Sequence, residues 1–185
     1  MVLLRSLNLP MGEHAKNFSL KGVDEKFYSL AEFSGAKILV IVFMCNHCPY
    51  VQAVWGRLNK LQERFLKDSV QFVGINPNLN PDYEEETFEK MQEYYKKFHM
   101  NFPYLQDDTQ NTAREYKAQC TPDIYVFDNG RKLVYHGRID DSWQDESKVT
   151  KQELAEALLA LIKGEKVLGV QNLSIGCSIK WKKFC

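Results

Sequence analysis

The chain has 185 residues, with 24 Lys and Arg balanced by 24 Asp and Glu, so its formal net charge is zero. A balanced charge gives no general attraction to nucleic acid or anionic lipid, and no stretch approaches the roughly 20 apolar residues of a transmembrane helix. The hydrophobic fraction of 44% and charged fraction of 26% are ordinary for a folded protein and argue against disorder or a disulfide-stapled miniprotein. We expect one domain over residues 1–185, with 165–185 as a C-terminal tail. If the chain is complete, the lack of a secretory signal predicts a cytoplasmic protein.

The first third of the chain predicts a hairpin, a short helical turn and a central strand. Two short apolar segments flank residues 21–24, which suits a hairpin turn. Residues 29–32 have the spacing of a capping box. Residues 37–43 read KILVIVF, a continuous apolar run typical of a strand that is covered on both faces.

The rest of the chain alternates helices and strands. Helical stripes are predicted from 51 to 65 and from 88 to 98, and strands at 70–75 and 102–105. A short helix at 112–116 precedes two strands, 123–128 and 132–136, about a tight turn. Residues 150–153 resemble a capping box that opens a last helix to 162. This order predicts an α/β fold, with a central mixed sheet and helices on both faces.

The five cysteines are the most informative residues: Cys45, Cys48, Cys120, Cys177 and Cys185. An odd number in a chain without a secretory signal argues against a structural disulfide framework. Cys45 and Cys48 form a Cys-Asn-His-Cys motif where a buried strand ends and a long helix begins. Because a helix N-terminus carries unpaired N–H groups and partial positive charge, we expect Cys45 to be acidic and nucleophilic there. Cys48 lies one turn away and can resolve a mixed disulfide, and His47 adds a partly cationic imidazole.

Two other interpretations of the motif stay open. The cysteines could be inert core residues, as isolated cysteines often are. They could also bind a metal, with Cys45, Cys48 and either His47 or Cys120 as ligands, although no second close pair of ligands occurs in the sequence. Redox chemistry accounts best for the position of the motif inside a βαβ pattern, and we predict no metal and no cofactor.

The sequence resembles the redoxin branch of the thioredoxin superfamily, which includes TlpA-like and AhpC/TSA-like proteins. The resemblance rests on KILVIVF followed by MCNHCPYV, on VQFVGIN, on FPYLQDD and on CTPDIYVFDNGRKLVYHGRIDD, and it spans residues 17–162. The ending GCSIKWK is similar to that of one redoxin subfamily. The resemblance implies a thioredoxin-like fold with an N-terminal hairpin and an insertion between the second and third central strands.

The resemblance also implies roles for individual residues. Cys45 is the attacking thiol and Cys48 the resolving thiol of a thiol–disulfide oxidoreductase. Pro122 is a cis-proline that faces the pair, and it leaves the carbonyl and amide of Thr121 free to pair with an extended substrate strand. Met44 stands where thioredoxins usually have Trp, and we expect it to shield one side of the thiol. We predict that Met44 and Thr121 contact the substrate.

Several features depart from the family pattern. The Pro and Thr positions of the peroxiredoxin motif PxxxTxxC hold other residues, so a peroxiredoxin mechanism is not expected. The strand before the motif lacks the buried Asp of thioredoxins, and no Glu follows the motif closely. The base that deprotonates the resolving cysteine is therefore unidentified, with His47 or water as the candidates. His14, His99 and His136 are interpreted as structural, and Glu84–Glu86 as a solvated helix start.

The accessory cysteines leave alternatives open. Cys120 lies beside the proposed cis-proline, and a flexible tail could bring Cys177 or Cys185 back to the site, with Cys177 favoured because terminal residues fray. The predicted function is thiol–disulfide exchange with protein or small-molecule substrates, with antioxidant activity and a reductant such as thioredoxin or glutathione. The alternatives are a thiol peroxidase that forms a Cys45–Cys177 link and a non-catalytic module that binds a metal or a partner.

Overall fold

In a computed structural model that describes residues 2–80 and 82–182, strands and helices alternate along most of the chain. The strands are β1 (Leu3–Arg5), β2 (Ser19–Gly22), β3 (Phe27–Ser29), β4 (Ile38–Phe43), β5 (Val70–Asn76), β6 (Tyr104–Gln106), β7 (Cys120–Thr121), β8 (Asp123–Phe127), β9 (Leu133–Gly137) and β10 (Ile175–Ser178). The helices are α1 (Pro49–Phe65), α2 (Phe88–Lys97), α3 (Asn111–Glu115) and α4 (Glu153–Ile162). Three 3-10 turns, Leu30–Phe33, Leu66–Asp68 and Glu146–Lys148, join these elements.

A seven-stranded mixed sheet carries the fold, in the order β3-β2-β6-β5-β4-β8-β9. The pairs β4–β5 and β5–β6 are parallel, as expected for strands joined by helical crossovers, and the other neighbours are antiparallel. β4 lies in the centre, and all six of its residues are buried. The continuous apolar run of the sequence is therefore explained by cover on both faces.

Two hydrophobic clusters cover the two faces of the sheet. Val40 and Val42 point into a cluster that includes buried residues of α1, α2 and α4, with the fully buried Trp55 near its middle. Leu39 and Ile41 point to the opposite face, where they meet residues of α3 and of the N-terminal segment. The alternation along β4 places helices on both faces, and the α/β prediction is confirmed.

A second sheet of three strands, in the order β1-β10-β7, lies beside the cysteine motif. β10 pairs antiparallel with β1 on one side and with β7 on the other. The sequence predicted this segment only as part of a tail from residue 165 to residue 185. Strand pairing holds residues 175–178 of this segment against the domain.

Most local predictions are confirmed. The hairpin of β2 and β3 forms as expected, and the Glu32 carboxylate accepts hydrogen bonds from the backbone N–H and the hydroxyl of Ser29. The capping box predicted at residues 150–153 is wrong. The Thr150 hydroxyl donates to Asp141 instead, and Gln152 is the N-cap of α4.

Candidate active site

The Cys-Asn-His-Cys motif forms the connection between β4 and α1. Cys48 is the N-cap residue of α1 and Pro49 its first residue, where the missing proline N–H costs least. Cys45 lies three residues earlier, beyond the end of β4 and before the helix. Both side chains are completely buried, so the two sulfur atoms lie beneath the surface in this conformation.

Both sulfur atoms contact the residue before a cis-proline. The Thr121–Pro122 peptide bond is cis, as predicted. The Cys45 Sγ lies 3.2 Å from the Thr121 hydroxyl, and the Cys48 Sγ lies 3.2 Å from the Thr121 carbonyl oxygen. The fold therefore brings the pair Cys45 and Cys48 together with Thr121 and Pro122, although more than 70 residues separate the two pairs in the sequence.

The acidity expected for Cys45 is wrong in this conformation. Burial, followed by a hydrogen bond with Cys48, raises the pKa of the Cys45 thiol well above its ordinary value. Hydrogen bonds with Cys177 and then with Cys45 lower the pKa of Cys48, against the effect of its burial. The physical reason is that Cys45 is fully buried before the helix begins, whereas Cys48 has hydrogen bonds with two neighbouring thiols that favour its thiolate.

A buried carboxylate stands beside the motif. Glu86 is 2% exposed, and its Oε1 accepts hydrogen bonds from the backbone N–H of His47 (2.8 Å) and pairs with His47 Nδ1 (2.6 Å). Its Oε2 accepts a hydrogen bond from Asn76 Nδ2 at 2.8 Å. The imidazole of His47 stacks on Tyr83, with ring centroids 5.4 Å apart. His47 is thus held at the edge of the site by contacts on two sides.

Sequence reasoning missed Glu86. The interpretation of Glu84–Glu86 as a solvated helix start is wrong for Glu86, because α2 begins at Phe88 and the loop before it folds inward over the motif. Asn46 fixes the same loop by donating a hydrogen bond to the Glu85 carbonyl at 2.7 Å. The only signal in the sequence was the acidic run Glu84–Glu86. Which of these three side chains is buried depends on Asn46 and His47, which lie 39 positions away.

Cys120 belongs to a separate buried polar group behind the cis-proline. Its Sγ lies 3.7 Å from the Ser6 hydroxyl, which also donates to Asp123. Asp123 accepts a hydrogen bond from the Tyr125 hydroxyl at 3.0 Å and pairs with His136 Nε2 at 2.8 Å. Burial raises the pKa of the Cys120 thiol. His136 is buried in this group, and the contact of Cys120 with Ser6 ties Cys120 to the same group.

Cys177 reaches the motif, and it does so from a strand. In the register of β10 and β7, Cys177 lies opposite Thr121, and its Sγ is 2.8 Å from the Cys48 Sγ. The expectation that the Thr121 backbone is free for a substrate strand is therefore wrong in this conformation, because the chain's own residues occupy that edge. Cys185, the other tail candidate, lies outside the described residues.

Met44 is fully buried and points into the interior rather than towards a substrate surface. Its sulfur packs close to Gly74, where an added Cβ would approach it to 2.9 Å. The prediction that Met44 contacts substrate is wrong for this conformation, because the strand alternation that buries Val42 also turns Met44 inward.

Three side chains of the described residues could share a cation. One ligand atom each from Cys45, His47 and Glu86 lies within 4.8 Å of the others. This set differs from the predicted one, which combined Cys45 with Cys48 and either His47 or Cys120. Thiolate, imidazole and carboxylate are ligands that Zn²⁺ accepts. His47 and Glu86 already pair with each other, so a bound cation would have to replace their contact.

None of the described helices is both long and apolar enough to cross a bilayer.

The central mixed sheet, the Cys-x-x-Cys motif at the N-terminus of α1 and the opposing cis-proline define a redoxin-branch protein of the thioredoxin superfamily. Residues 11–136 match the model of the AhpC/TSA family, and the chain belongs to that family. Family membership and the site together support a redox function.

Solved structures resemble the chain over most of its length. An uncharacterized conserved protein from Geobacillus kaustophilus has 40% sequence identity and a TM-score of 0.95, with 100% of this chain and 99% of that one covered. A hypothetical protein from Sinorhizobium meliloti has 36% identity and a TM-score of 0.92, with coverage of 96% and 98%. Peroxidoxin BcpB from Mycobacterium tuberculosis shares the fold, at 16% identity, a TM-score of 0.65 and coverage of 85% and 98%. No curated protein matches the chain.

Proposed function

We propose that the chain is a thiol–disulfide oxidoreductase in which Cys45 and Cys48 are the dithiol couple. One observation carries the proposal: both sulfur atoms lie 3.2 Å from atoms of Thr121, directly before the cis-proline. This arrangement places two thiols within reach of each other and beside one backbone edge. An extended disulfide substrate that pairs with that edge would present its sulfur to the couple.

The reaction consists of two exchanges. The Cys45 thiolate attacks one sulfur of a substrate disulfide, so a Cys45–substrate bond forms and the other substrate sulfur leaves as a thiolate that takes up a proton. The Cys48 thiolate then attacks the Cys45 sulfur and releases the second substrate thiol. The substrate gains two electrons, and the protein ends with a Cys45–Cys48 disulfide. The lowered pKa of Cys48 belongs to the closed conformation, because it depends on hydrogen bonds with Cys177 and Cys45.

Glu86 is the base proposed for the first exchange. Its carboxylate and the Cys45 sulfur belong to one group whose ligand atoms lie within 4.8 Å, a distance that one water or the imidazole of His47 can bridge. A base is needed because burial, a hydrogen bond with Cys48 and the nearby charge of Glu86 itself raise the pKa of Cys45.

The substrate class is a protein or small-molecule disulfide, with thioredoxin or glutathione proposed as the thiol that restores the reduced form. Both thiols are buried in this conformation, so a substrate gains access when β10 moves away from β7. A cytoplasmic location and antioxidant activity remain predictions from the sequence.

Reduction of insulin disulfides by the purified chain, with dithiothreitol as the electron source, tests the proposal. Cys45→Ser and Cys48→Ser should each abolish catalysis above the dithiothreitol background. Cys120→Ser is the matched control, because it removes a buried thiol that faces Ser6 and Asp123, and it should retain activity. A Cys45→Ser variant with full activity would overturn the role of Cys45.

The grouping of Cys45, His47 and Glu86 favours metal binding as the second candidate function. Elemental analysis of protein purified without chelator separates the two. Stoichiometric zinc that is lost in both Cys45→Ser and Glu86→Gln, together with no insulin reduction by the wild-type chain, would favour the metal module.

A further inference from the structure

The segment that carries Cys177 is built into the active site by backbone pairing. β10 lies between β1 and β7, with Cys177 opposite both Leu3 and Thr121. The backbone on either side of the strand is also held: the Ser6 N–H donates to the Ser174 carbonyl at 3.0 Å, and the Ile179 N–H donates to the Gln119 carbonyl at 2.9 Å. Backbone pairing on both sides therefore sets the position of Cys177 in this closed conformation.

Side chains anchor the residues that follow the strand. The Lys180 N–H donates to Asn78 Oδ1 at 2.9 Å, and Gln110 Nε2 donates to the Lys180 carbonyl at 2.9 Å. The Lys182 N–H donates to Gln110 Oε1 at 2.8 Å. Asn78 and Gln110 are both fully buried, so these contacts are made by side chains that the interior holds in place.

The residue before Cys177 shows how closely the strand approaches the cis-proline. A Cβ on Gly176 would lie 2.0 Å from the Thr121 carbonyl oxygen and 3.2 Å from the Pro122 nitrogen. Only glycine allows this approach, because the contacting atoms are backbone and cannot rotate away. The close contact lets the neighbouring Cys177 side chain extend to Cys48.

Geometry selects Cys48 as the partner of Cys177. Their sulfur atoms are 2.8 Å apart, whereas the Cys45 sulfur faces the Thr121 hydroxyl. Cys48 thus stands between two thiols, one from its own motif and one from β10. A thiolate that attacks a Cys45–Cys48 disulfide from β10 reaches the Cys48 sulfur.

We propose that Cys177 is a third redox-active thiol, which takes over the disulfide of the couple by attack on Cys48. The inference rests on the proposed function, because the Cys45–Cys48 disulfide is the product of substrate reduction. The Cys177 thiolate forms a bond to the Cys48 sulfur, the Cys45–Cys48 bond breaks, and Cys45 leaves as a thiolate that takes up the proton lost by Cys177. No electrons enter or leave in this step. Its product, a Cys48–Cys177 disulfide, holds β10 over the site until an external dithiol reduces it.

Peptide mapping under non-reducing conditions tests the proposal. Trypsin places Cys45 and Cys48 together in residues 38–57, Cys177 in residues 167–180 and Cys120 in residues 118–131. The reduced protein is treated with glutathione disulfide, alkylated, digested and analysed by mass spectrometry. In the wild type, we expect peptide 38–57 linked to peptide 167–180, with peptide 118–131 alkylated as the internal control.

Single variants identify the partner. Cys45→Ser should keep the link, because glutathione disulfide forms a mixed disulfide with Cys48 and Cys177 then displaces glutathione as a thiol. Cys48→Ser should lose the link. Cys177→Ser should arrest the exchange at a disulfide internal to peptide 38–57. A link that persists in Cys48→Ser, which is the Cys45–Cys177 bond expected of a peroxidase, would overturn the proposal. An oxidised wild type that contains only the Cys45–Cys48 disulfide would also overturn it.

The insulin assay keeps the two proposals distinguishable. A wild type that reduces insulin while its oxidised form holds only Cys45–Cys48 retains the proposed function and excludes the role of Cys177. A wild type without insulin reduction and without any disulfide in peptide 38–57 excludes both.

Discussion

Substitution of Gly176 by alanine should uncover the buried thiols. The methyl group would lie 2.0 Å from the Thr121 oxygen and 2.6 Å from its carbonyl carbon, whereas real Cβ atoms stay at 3.0 Å or more from such neighbours. β10 must therefore move by about 1 Å, and its pairing of Cys177 with Thr121 and of Ser178 with Cys120 is weakened. Because this pairing covers Cys45 and Cys48, its loss should expose them.

The size of the effect follows from the cost of overpacking. Forcing an extra methyl into a packed site costs about 1–3 kcal/mol. If that cost falls on the closed position of β10, the open population rises about 5- to 150-fold, since about 1.4 kcal/mol is tenfold in an equilibrium constant. The alkylation rate of a buried thiol rises by the same factor when opening is fast relative to labelling.

The assay measures iodoacetamide labelling of peptide 38–57 over time in the reduced protein. Gly35→Ala is the control, because a Cβ on Gly35 meets no atom within 4 Å. Far-UV circular dichroism reports global unfolding, and its signal should be the same in both variants. Cys120 is not a suitable reporter, because it pairs with Ser178 of β10. A Gly176→Ala variant that labels peptide 38–57 at the wild-type rate would refute the argument that β10 covers the couple.

Two further predictions concern acidity and proton transfer. Cys177→Ala removes the main hydrogen bond that lowers the pKa of Cys48. A thiol whose folded pKa lies below its unfolded value of about 8.5 adds stability that is full above that pH and is lost as the pH falls. The free energy of unfolding of the reduced wild type should therefore exceed that of Cys177→Ala by an amount that grows from about pH 6 to about pH 8.5. Urea unfolding measures this difference, and a difference that does not change with pH would contradict the pKa shift of Cys48. Glu86→Gln should slow insulin reduction about 100-fold at neutral pH, with the deficit shrinking as the pH rises and Cys45 ionises without a base; a deficit that does not change with pH would indicate a structural role instead.

Local hydrophobic patterns predicted much of the fold, because burial of a single strand or helix depends on only a few neighbouring residues. The apolar run of β4 and the helical stripe of α1 each follow from burial of one chain segment, and both are confirmed. The capping box at residues 150–153 failed for the opposite reason. Thr150 found a better acceptor in Asp141, nine residues away, and spacing alone does not reveal such a competitor.

The sequence predicted the main residues of the site but not the contacts between them. The motif and the cis-proline were readable, because each is a short pattern with a recognisable resemblance. The burial of Glu86, the inward turn of Met44 and the order of thiol acidity were not readable, since each depends on groups that the tertiary fold brings near. The order of thiol acidity follows from the burial of Cys45 and from the hydrogen bonds of Cys48 with Cys177 and Cys45, none of which residue spacing reveals.

The sequence by itself determined an α/β chain with a Cys-x-x-Cys pair at a strand–helix junction, because residue type and periodicity encode both. Only the tertiary structure decided that a strand 129 residues away from Cys48 returns to place a third sulfur against it. The physical reason is that β10 is only four residues long and combines apolar, glycine and polar residues, so its sequence does not predict a strand. Its conformation comes from the two edges between which it lies, and those edges exist only once the chain has folded.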